Sequence, residues 1–271
     1  MRLRNISTVI ANPGLGLEYM VWRARKLAGQ NVTFALRNGA RIGNFVDFSE
    51  YHSMIGCISQ AEQDFFIGSV ADDASPLIDI GANIGIVSVL LGKQFPGRTV
   101  HAFEPAPTTF TALKANVALN GLANVRCHQL AVSAEPGSIE FEAHPTRRAT
   151  ARIATAGGSD TQIVEATTLD AFVAAQGITA IGLLKVDVEG FESLVLRGAA
   201  RVLERKMAAV IFMEVCPPLS ESAGFDAAEP ARLIEAAGYR WFRLGEDGAL
   251  TPVVPADTAG VALENWVALP A

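Results

Sequence analysis

Residues 76–85 read Pro76-Leu-Ile-Asp79-Ile-Gly81-Ala82-Asn83-Ile-Gly85, and the apolar run Ile86–Phe95 follows without a break. A short apolar strand ends beside an acid, and a glycine-rich turn feeds straight into a helix. Glycine admits positive φ and close backbone approach, while a helix N-terminus presents unpaired N–H groups and the positive end of its dipole. The junction therefore predicts a ligand cradle. Its glycines are spaced G-x-x-x-G rather than G-x-G-x-x-G, and the acid two residues before Gly81 suits an ammonium better than a pyrophosphate.

Moving outward, Val100-His-Ala-Phe-Glu104-Pro105 is a second strand ending in an acid, 19 residues after Gly85. An α/β nucleotide site places there the carboxylate that accepts the ribose hydroxyls. The rhythm continues with strand candidates at 77–80, 99–103, 125–132, 182–186, 208–214, 239–244 and 261–269. Helices are expected at 86–95, 109–120, 191–205 and 229–237, with Gly121 and Gly238 just past the ends of the second and fourth. Alternating strands and helices predict a parallel sheet covered on both faces. An additional strand pair, 138–143 and 162–166, brackets a loop from His144 to Thr161; Thr168 then caps a short helix that Gly177 ends. Residues 1–70 form an expected N-terminal cap: a helix over 17–28, a hairpin about Asn38-Gly39, and a helix opened by the capping box Ser59-Gln-Ala-Glu62. Residues 71–271 form the expected main domain.

The composition agrees. Half of the 271 residues are apolar, enough for a continuous core. Twenty-two basic against 28 acidic residues leave a net charge of −6, which argues against a grip on nucleic acid or an anionic membrane. Cys57, Cys127 and Cys216 are too scattered for a disulfide framework or thiolate metal site, so the cytoplasm is the expected compartment. No stretch approaches the length of a membrane span, and a soluble protein is expected.

The combination of Asp79-Ile-Gly-Ala-Asn-Ile-Gly85, Phe103-Glu-Pro105, Thr167-Thr-Leu-Asp170, Leu183-Leu-Lys-Val-Asp-Val-Glu-Gly-Phe-Glu192 and a strand ending in Glu214 resembles the FkbM family of S-adenosylmethionine-dependent methyltransferases. The resemblance covers about Pro76 to Glu214. It implies a Rossmann-like seven-stranded methyltransferase sheet of order 3-2-1-4-5-7-6 and O-methylation of a sugar or polyketide hydroxyl. It also implies that Asp79, Gly81, Ala82, Asn83 and Gly85 surround the methionine part of the cofactor, that Glu104 holds the ribose, and that Asp187 borders the same cleft. The third strand ends without an acid, so adenine is expected against backbone near Ala131 or against Gln129.

Asp187, Glu189 and Glu192 crowd the end of the fourth strand and the start of the next helix, where Glu192 is as well explained as an ordinary capping acid. Glu214 ends the neighbouring strand in the implied order, so Asp187 and Glu214 are expected to converge. Convergent carboxylates can act as general base or hold a divalent cation that acidifies a hydroxyl. A metal-free cleft is expected, because no metal-ligand spacing stands out. Asp187, Glu189 and Glu214 are the candidate bases. His101 and His128 are read as structural. Arg147, Arg148 and Arg152, with the pair Gly157-Gly158, make the 144–161 loop either a solvated loop or a lid for an anionic acceptor. The alternatives are a nicotinamide-dependent oxidoreductase, which would need a pyrophosphate turn without Asp79, and a non-catalytic nucleotide-binding partner subunit. A small-molecule acceptor is the expected partner, and the first helix leaves room for a homodimer.

Overall fold

The computed structural model describes residues 13–70, 73–144, 147–153, 161–258 and 260–271, with the backbone alone at 13, 141–144, 147–153, 161, 256 and 257. The chain opens with α1 (Pro13–Leu27), the two-residue strands β1 (Phe34–Ala35) and β2 (Arg41–Ile42), then α2 (Phe48–Met54) and α3 (Gln60–Gly68). The hairpin forms about Asn38-Gly39 as expected, with Gly39 at φ 76°. Ser59 and Glu62 make the full reciprocal capping box of α3. Helix α2 was not foreseen, although Asp47 caps it by accepting the Glu50 N–H at 2.9 Å.

Strand β3 (Leu77–Ile80) begins the main sheet, followed by α4 (Ile86–Gln94), β4 (Val100–Phe103), α5 (Pro107–Leu119) and β5 (Val125–His128). Every residue of β3 and β4 is buried, as a strand covered on both faces requires. The expected third strand is shorter than its apolar run. The chain leaves the sheet after His128, and Ala131–Val132 (β6) joins a second sheet with β7 (Gly137–His144), β8 (Arg147–Ile153) and β9 (Thr161–Thr167) in the order β6-β9-β7-β8. Residues 147–153, expected to be loop, thus form a strand antiparallel to β7. Residues 154–160, with the Gly157-Gly158 pair, lie outside the described residues.

After α6 (Leu169–Ala175) and β10 (Leu183–Val186), the single helix expected over 191–205 is two, α7 (Glu192–Arg197) and α8 (Ala200–Glu204). Gly198 marks the break: a Cβ there would lie 2.0 Å from the Ser133 carbonyl oxygen. Asp170 caps the second piece, its carboxylate accepting the N–H groups of Arg201 and Val202 at 2.9 and 3.0 Å. The remainder is β11 (Ile211–Val215), α9 (Pro217–Ser222), α10 (Glu229–Ala236), β12 (Tyr239–Leu244), β13 (Leu250–Val253) and β14 (Glu264–Pro270).

The main sheet has the order β13-β12-β14-β11-β10-β3-β4-β5. Its core is the expected 3-2-1-4-5-7-6 arrangement: five parallel strands, then β14 antiparallel to them, then β12, which is antiparallel to β14 and so runs in the direction of the five. An eighth strand, β13, extends the edge. It contains Pro252, which has no N–H for a further neighbour and is tolerated at a sheet edge. The N-terminal elements pack directly on this sheet: the Phe66 and Phe212 rings are 4.6 Å apart, and Asn116 Oδ1 accepts the Gly43 N–H at 2.9 Å. His101 and His128 face each other at 3.0 Å on adjacent strands, beside Phe103 and Phe172. Burial pushes the His101 imidazole down to about 4, so the pair is neutral and structural.

Gly198→Ala is expected to lower stability by about 1–3 kcal/mol, the usual range for overpacking. Gly97→Ala, where a Cβ meets nothing within 4 Å, should leave it nearly unchanged. Urea unfolding of both variants checks the contrast.

Candidate active site

Chain order reverses in the sheet between β3 and β10, because the strand after β3 lies on one side and β10 on the other. Open α/β sheets bind ligands at such a switch point, beyond the carboxyl ends of the strands. The two strands are pinned together there by Lys185. Its Nζ lies 3.2 Å from Asp79 Oδ1, 3.1 Å from Asp187 Oδ2 and 3.0 Å from the Gly81 carbonyl oxygen. Burial opposes the ammonium charge, but Asp187 and Asp79 outweigh it and hold Lys185 protonated well above the usual lysine range. Asp79 is fully buried, and its other oxygen accepts the Ser88 hydroxyl.

The backbone is equally constrained. Gly81 has φ 75°, and a Cβ would sit 1.7 Å from the Asp187 carbonyl oxygen, so the turn after β3 touches the end of β10 where only glycine fits. Asn83, at φ 50°, donates its N–H to Glu104 Oε2 at 3.0 Å, and Ala106 donates to Oε1 at 2.9 Å. Burial nevertheless pushes the Glu104 carboxyl up to about 7 against these two hydrogen bonds.

A cavity of about 380 Å³ opens at this junction, within the size range of small-molecule sites. Of the residues expected from the sequence, Gly81, Ala82, Asn83, Glu104, Ala131, Asp187, Glu189 and Glu214 line it. Leu130 and Val132 flank Ala131, whereas Gln129 is not in the wall. Two residues stand elsewhere. Asp79 does not face the cavity but holds Lys185 from behind, since its register partner on β10 is Lys185 itself. Gly85 starts α4 at φ 93° and leaves room for Leu113, whose Cδ1 would be 2.6 Å from a Cβ, so it shapes helix packing rather than the wall.

Glu192 caps the turn, accepting the N–H groups of Val188 and Gly190 at 3.1 and 3.2 Å, with burial pushing it up to about 6. That turn is tight: Glu189 and Gly190 both have positive φ, 55° and 95°. Glu214 stands on β11 one step beyond the Val186↔Met213 pair, which aligns it with Asp187 on the neighbouring parallel strand. Its Oε2 is buried without a hydrogen-bond partner among the described residues, and burial together with the charges of Asp187, Glu189 and Glu192 pushes its carboxyl up to about 9.

Sequence reasoning missed Lys185 as a site residue. The signal was a lysine inside the apolar strand Leu-Leu-Lys-Val, which can be buried only if paired. It also missed Met54, Cys57 and Ile58 of the N-terminal elements and Leu263, all in the wall; nothing local marks them. The side chains of His144, Arg147, Arg148 and Arg152 lie outside the described residues. Among the described residues no three His, Cys, Asp or Glu side chains are grouped to hold a metal ion, and no helix is long and apolar enough to cross a membrane.

The sheet order and the crevice at its switch point define a chain with the Rossmann-like methyltransferase architecture. Residues 79–241 match the family model described as the methyltransferase FkbM domain, and the chain belongs to that family. A similar relative is the 31-O-demethyl-FK506 methyltransferase FkbM of Streptomyces tacrolimicus, 36% identical with 45% of this chain and 58% of the relative covered. Another is the hexuronic acid methyltransferase AglP of Haloferax volcanii, 30% identical over 49% of this chain and 54% of the relative. The chain thus spans a little over half the length of these relatives. Among solved structures, a precorrin-6y C5,15-methyltransferase from Geobacter metallireducens is 13% identical with a TM-score of 0.43, covering 78% of this chain and 88% of the other.

Lys185→Met leaves Asp79 as a buried charge without its cation and is expected to cost about 3–5 kcal/mol; replacing Asp79 by Leu as well should recover part of that loss in urea unfolding.

The raised carboxyls give a second expectation. Their folded forms hold protons more tightly than the unfolded chain does, so their contribution is complete at low pH and is lost as pH rises through about 6 to 9. The histidines act oppositely, but only below their ordinary value of 6.5. The melting temperature of the ligand-free protein should therefore fall from pH 7 to pH 9, and Glu214→Gln should flatten the fall.

Proposed function

We propose that this chain transfers a methyl group from S-adenosylmethionine to a hydroxyl oxygen of a small molecule, a sugar or a glycosylated or polyketide product. The observation that carries this reading is the meeting, in one cavity, of the Gly81 turn, the Glu104 carboxylate and the Asp187–Glu214 wall. Family membership supports methyl transfer, and two relatives are named for a demethylated FK506 oxygen and for a hexuronic acid.

The cavity residues fit such a donor. Glu104 has one backbone N–H on each oxygen, which leaves lone pairs for two ribose hydroxyls. Gly81, Ala82 and Asn83 would receive the amino-acid end, where the missing side chain of Gly81 permits close approach. Leu130, Ala131 and Val132 offer an apolar wall and backbone groups for a flat base. Asp79 contributes from behind by holding Lys185, and through it Asp187. The donor, when bound, supplies a methyl group already activated by its sulfonium charge. What remains for the protein is to align the acceptor oxygen, exclude water and accept a proton, and positioning of this kind accounts for a large part of such a barrier. Asp187, Glu189 and Glu214 are the groups that can orient the hydroxyl. Met54, Cys57 and Ile58 close the cavity from the N-terminal side.

Calorimetric titration with S-adenosylhomocysteine tests the reading. Glu104→Gln should weaken binding by about 1–3 kcal/mol at pH 8, the worth of a charged acceptor for two hydroxyl donors. Wild-type affinity should decline below pH 7, as Glu104 takes up a proton, while the variant's affinity stays level over the same range. Failure of the wild type to bind, or tighter binding of NADH, would contradict the proposal.

A further inference from the structure

Methylation of a hydroxyl sets one proton free, and three carboxyl groups stand in the cavity wall to receive it: Asp187, Glu189 and Glu214. Asp187 is engaged by Lys185. Of the three, Glu214 alone has an oxygen that is both buried and without a hydrogen-bond partner among the described residues. Among the described residues the wall contains four carboxyl groups, those three and Glu104, and one cation, Lys185, which is already shared among Asp79, Asp187 and the Gly81 carbonyl.

The groups around Glu214 do not neutralise it. From β10 and the turn after it come Lys185, Asp187 and Glu189, and from α7 comes Glu192. On β14, Asn265 is its register partner and donates its side chain to Glu62. Glu264 next to it is held by Arg243 at 2.6 Å and by the Trp266 indole at 2.8 Å. A carboxylate at Glu214 would thus be a negative charge with one oxygen shut off from water and other carboxylates beside it, every nearby cation among the described residues being committed.

We propose that Glu214 is the proton acceptor of the reaction and becomes one only while a cationic methyl donor shares the cavity, because the arriving positive charge expels its proton. This rests on the donor being S-adenosylmethionine. Donor binding converts the carboxylic acid to carboxylate and releases one proton to solvent. During transfer, the acceptor oxygen forms its bond to the methyl carbon as the carbon–sulfur bond breaks, its electron pair staying on sulfur, and the hydroxyl proton passes to Glu214. The by-product is neutral at sulfur, so Glu214 returns to its starting state. One proton appears per cycle, as methylation of a hydroxyl requires. The carboxyl's high proton affinity in the free protein agrees with this, and a charge brought within a few ångströms is the effect that reverses it.

The test needs no knowledge of the acceptor. S-adenosylmethionine and S-adenosylhomocysteine are titrated calorimetrically into the full chain at pH 8, in two buffers of different ionisation enthalpy, to count protons released. Glu104 sits near 7, is already mostly ionised at this pH, and meets the same ribose in both ligands. The donor should release about 0.5–1 proton more than the by-product, and its affinity relative to the by-product should rise up to tenfold per pH unit between pH 7 and 8. Glu214→Gln should abolish both differences. Equal proton release by the two ligands in the wild type would overturn the proposal while leaving the function above intact, whatever the variant's stability. Absence of binding by both would overturn the two together.

Discussion

Lys185 is the constraint on which the rest of the site depends. A lysine inside a buried parallel strand is tolerable only if its charge is met, and here three oxygens meet it: Asp79 on the adjacent strand, Asp187 beyond the end of its own, and the carbonyl of Gly81 in the turn between. These contacts tie the carboxyl ends of the parallel strands β3 and β10 together where the order of the chain through the sheet reverses. They fix the distance across which Gly81 can touch the Asp187 backbone, and that distance admits no Cβ. The ion pair is thus less a source of net stability, since buried pairs seldom are, than a device that sets the register of the cavity's two walls.

Given that frame, the electrostatics of the cavity follow first from burial and then from the single cation that the described residues of its wall supply. Glu104 and Glu192 are buried, Glu214 is half-buried with one oxygen shut off from water, and each gains proton affinity in consequence. The three differ in what offsets the burial. Glu104 and Glu192 have backbone N–H donors, and Glu214 has an oxygen with none among the described residues. The same fold therefore yields a carboxyl near neutrality beside the Gly81 turn, a turn cap, and a carboxyl held in its acid form in the cavity wall. Perturbed groups of this kind gather at sites that do chemistry.

Much of this architecture was legible in the residues. The strand, glycine turn and helix of 76–95, the acid at 104 and the strand-end acids at 187 and 214 could be read because each is a local pattern with a geometric meaning. Other features could not. Asp79 read as facing a ligand because spacing places it at the strand end, but spacing does not say that a lysine lies opposite it in register. The helix over 191–205 reads as continuous from its own residues; at the break Gly198 packs against the Ser133 carbonyl and its own carbonyl accepts the Asp170 N–H, and both partners are distant in sequence. Pro252 hid an edge strand, and the contribution of Met54, Cys57 and Ile58 arises only when the N-terminal elements fold across the sheet.

On the function we propose, the cavity between β3, β4 and β10 receives an S-adenosyl group with its sulfur end toward Asp187 and Glu214. A crystal structure of the S-adenosylhomocysteine complex tests it most directly. Both ribose hydroxyls should lie within hydrogen-bond distance of Glu104, the adenine against Leu130–Val132, and the sulfur facing the Asp187–Glu214 wall. A ligand bound elsewhere, or one whose ribose leaves Glu104 untouched while its sulfur points away from those two carboxyls, would contradict it.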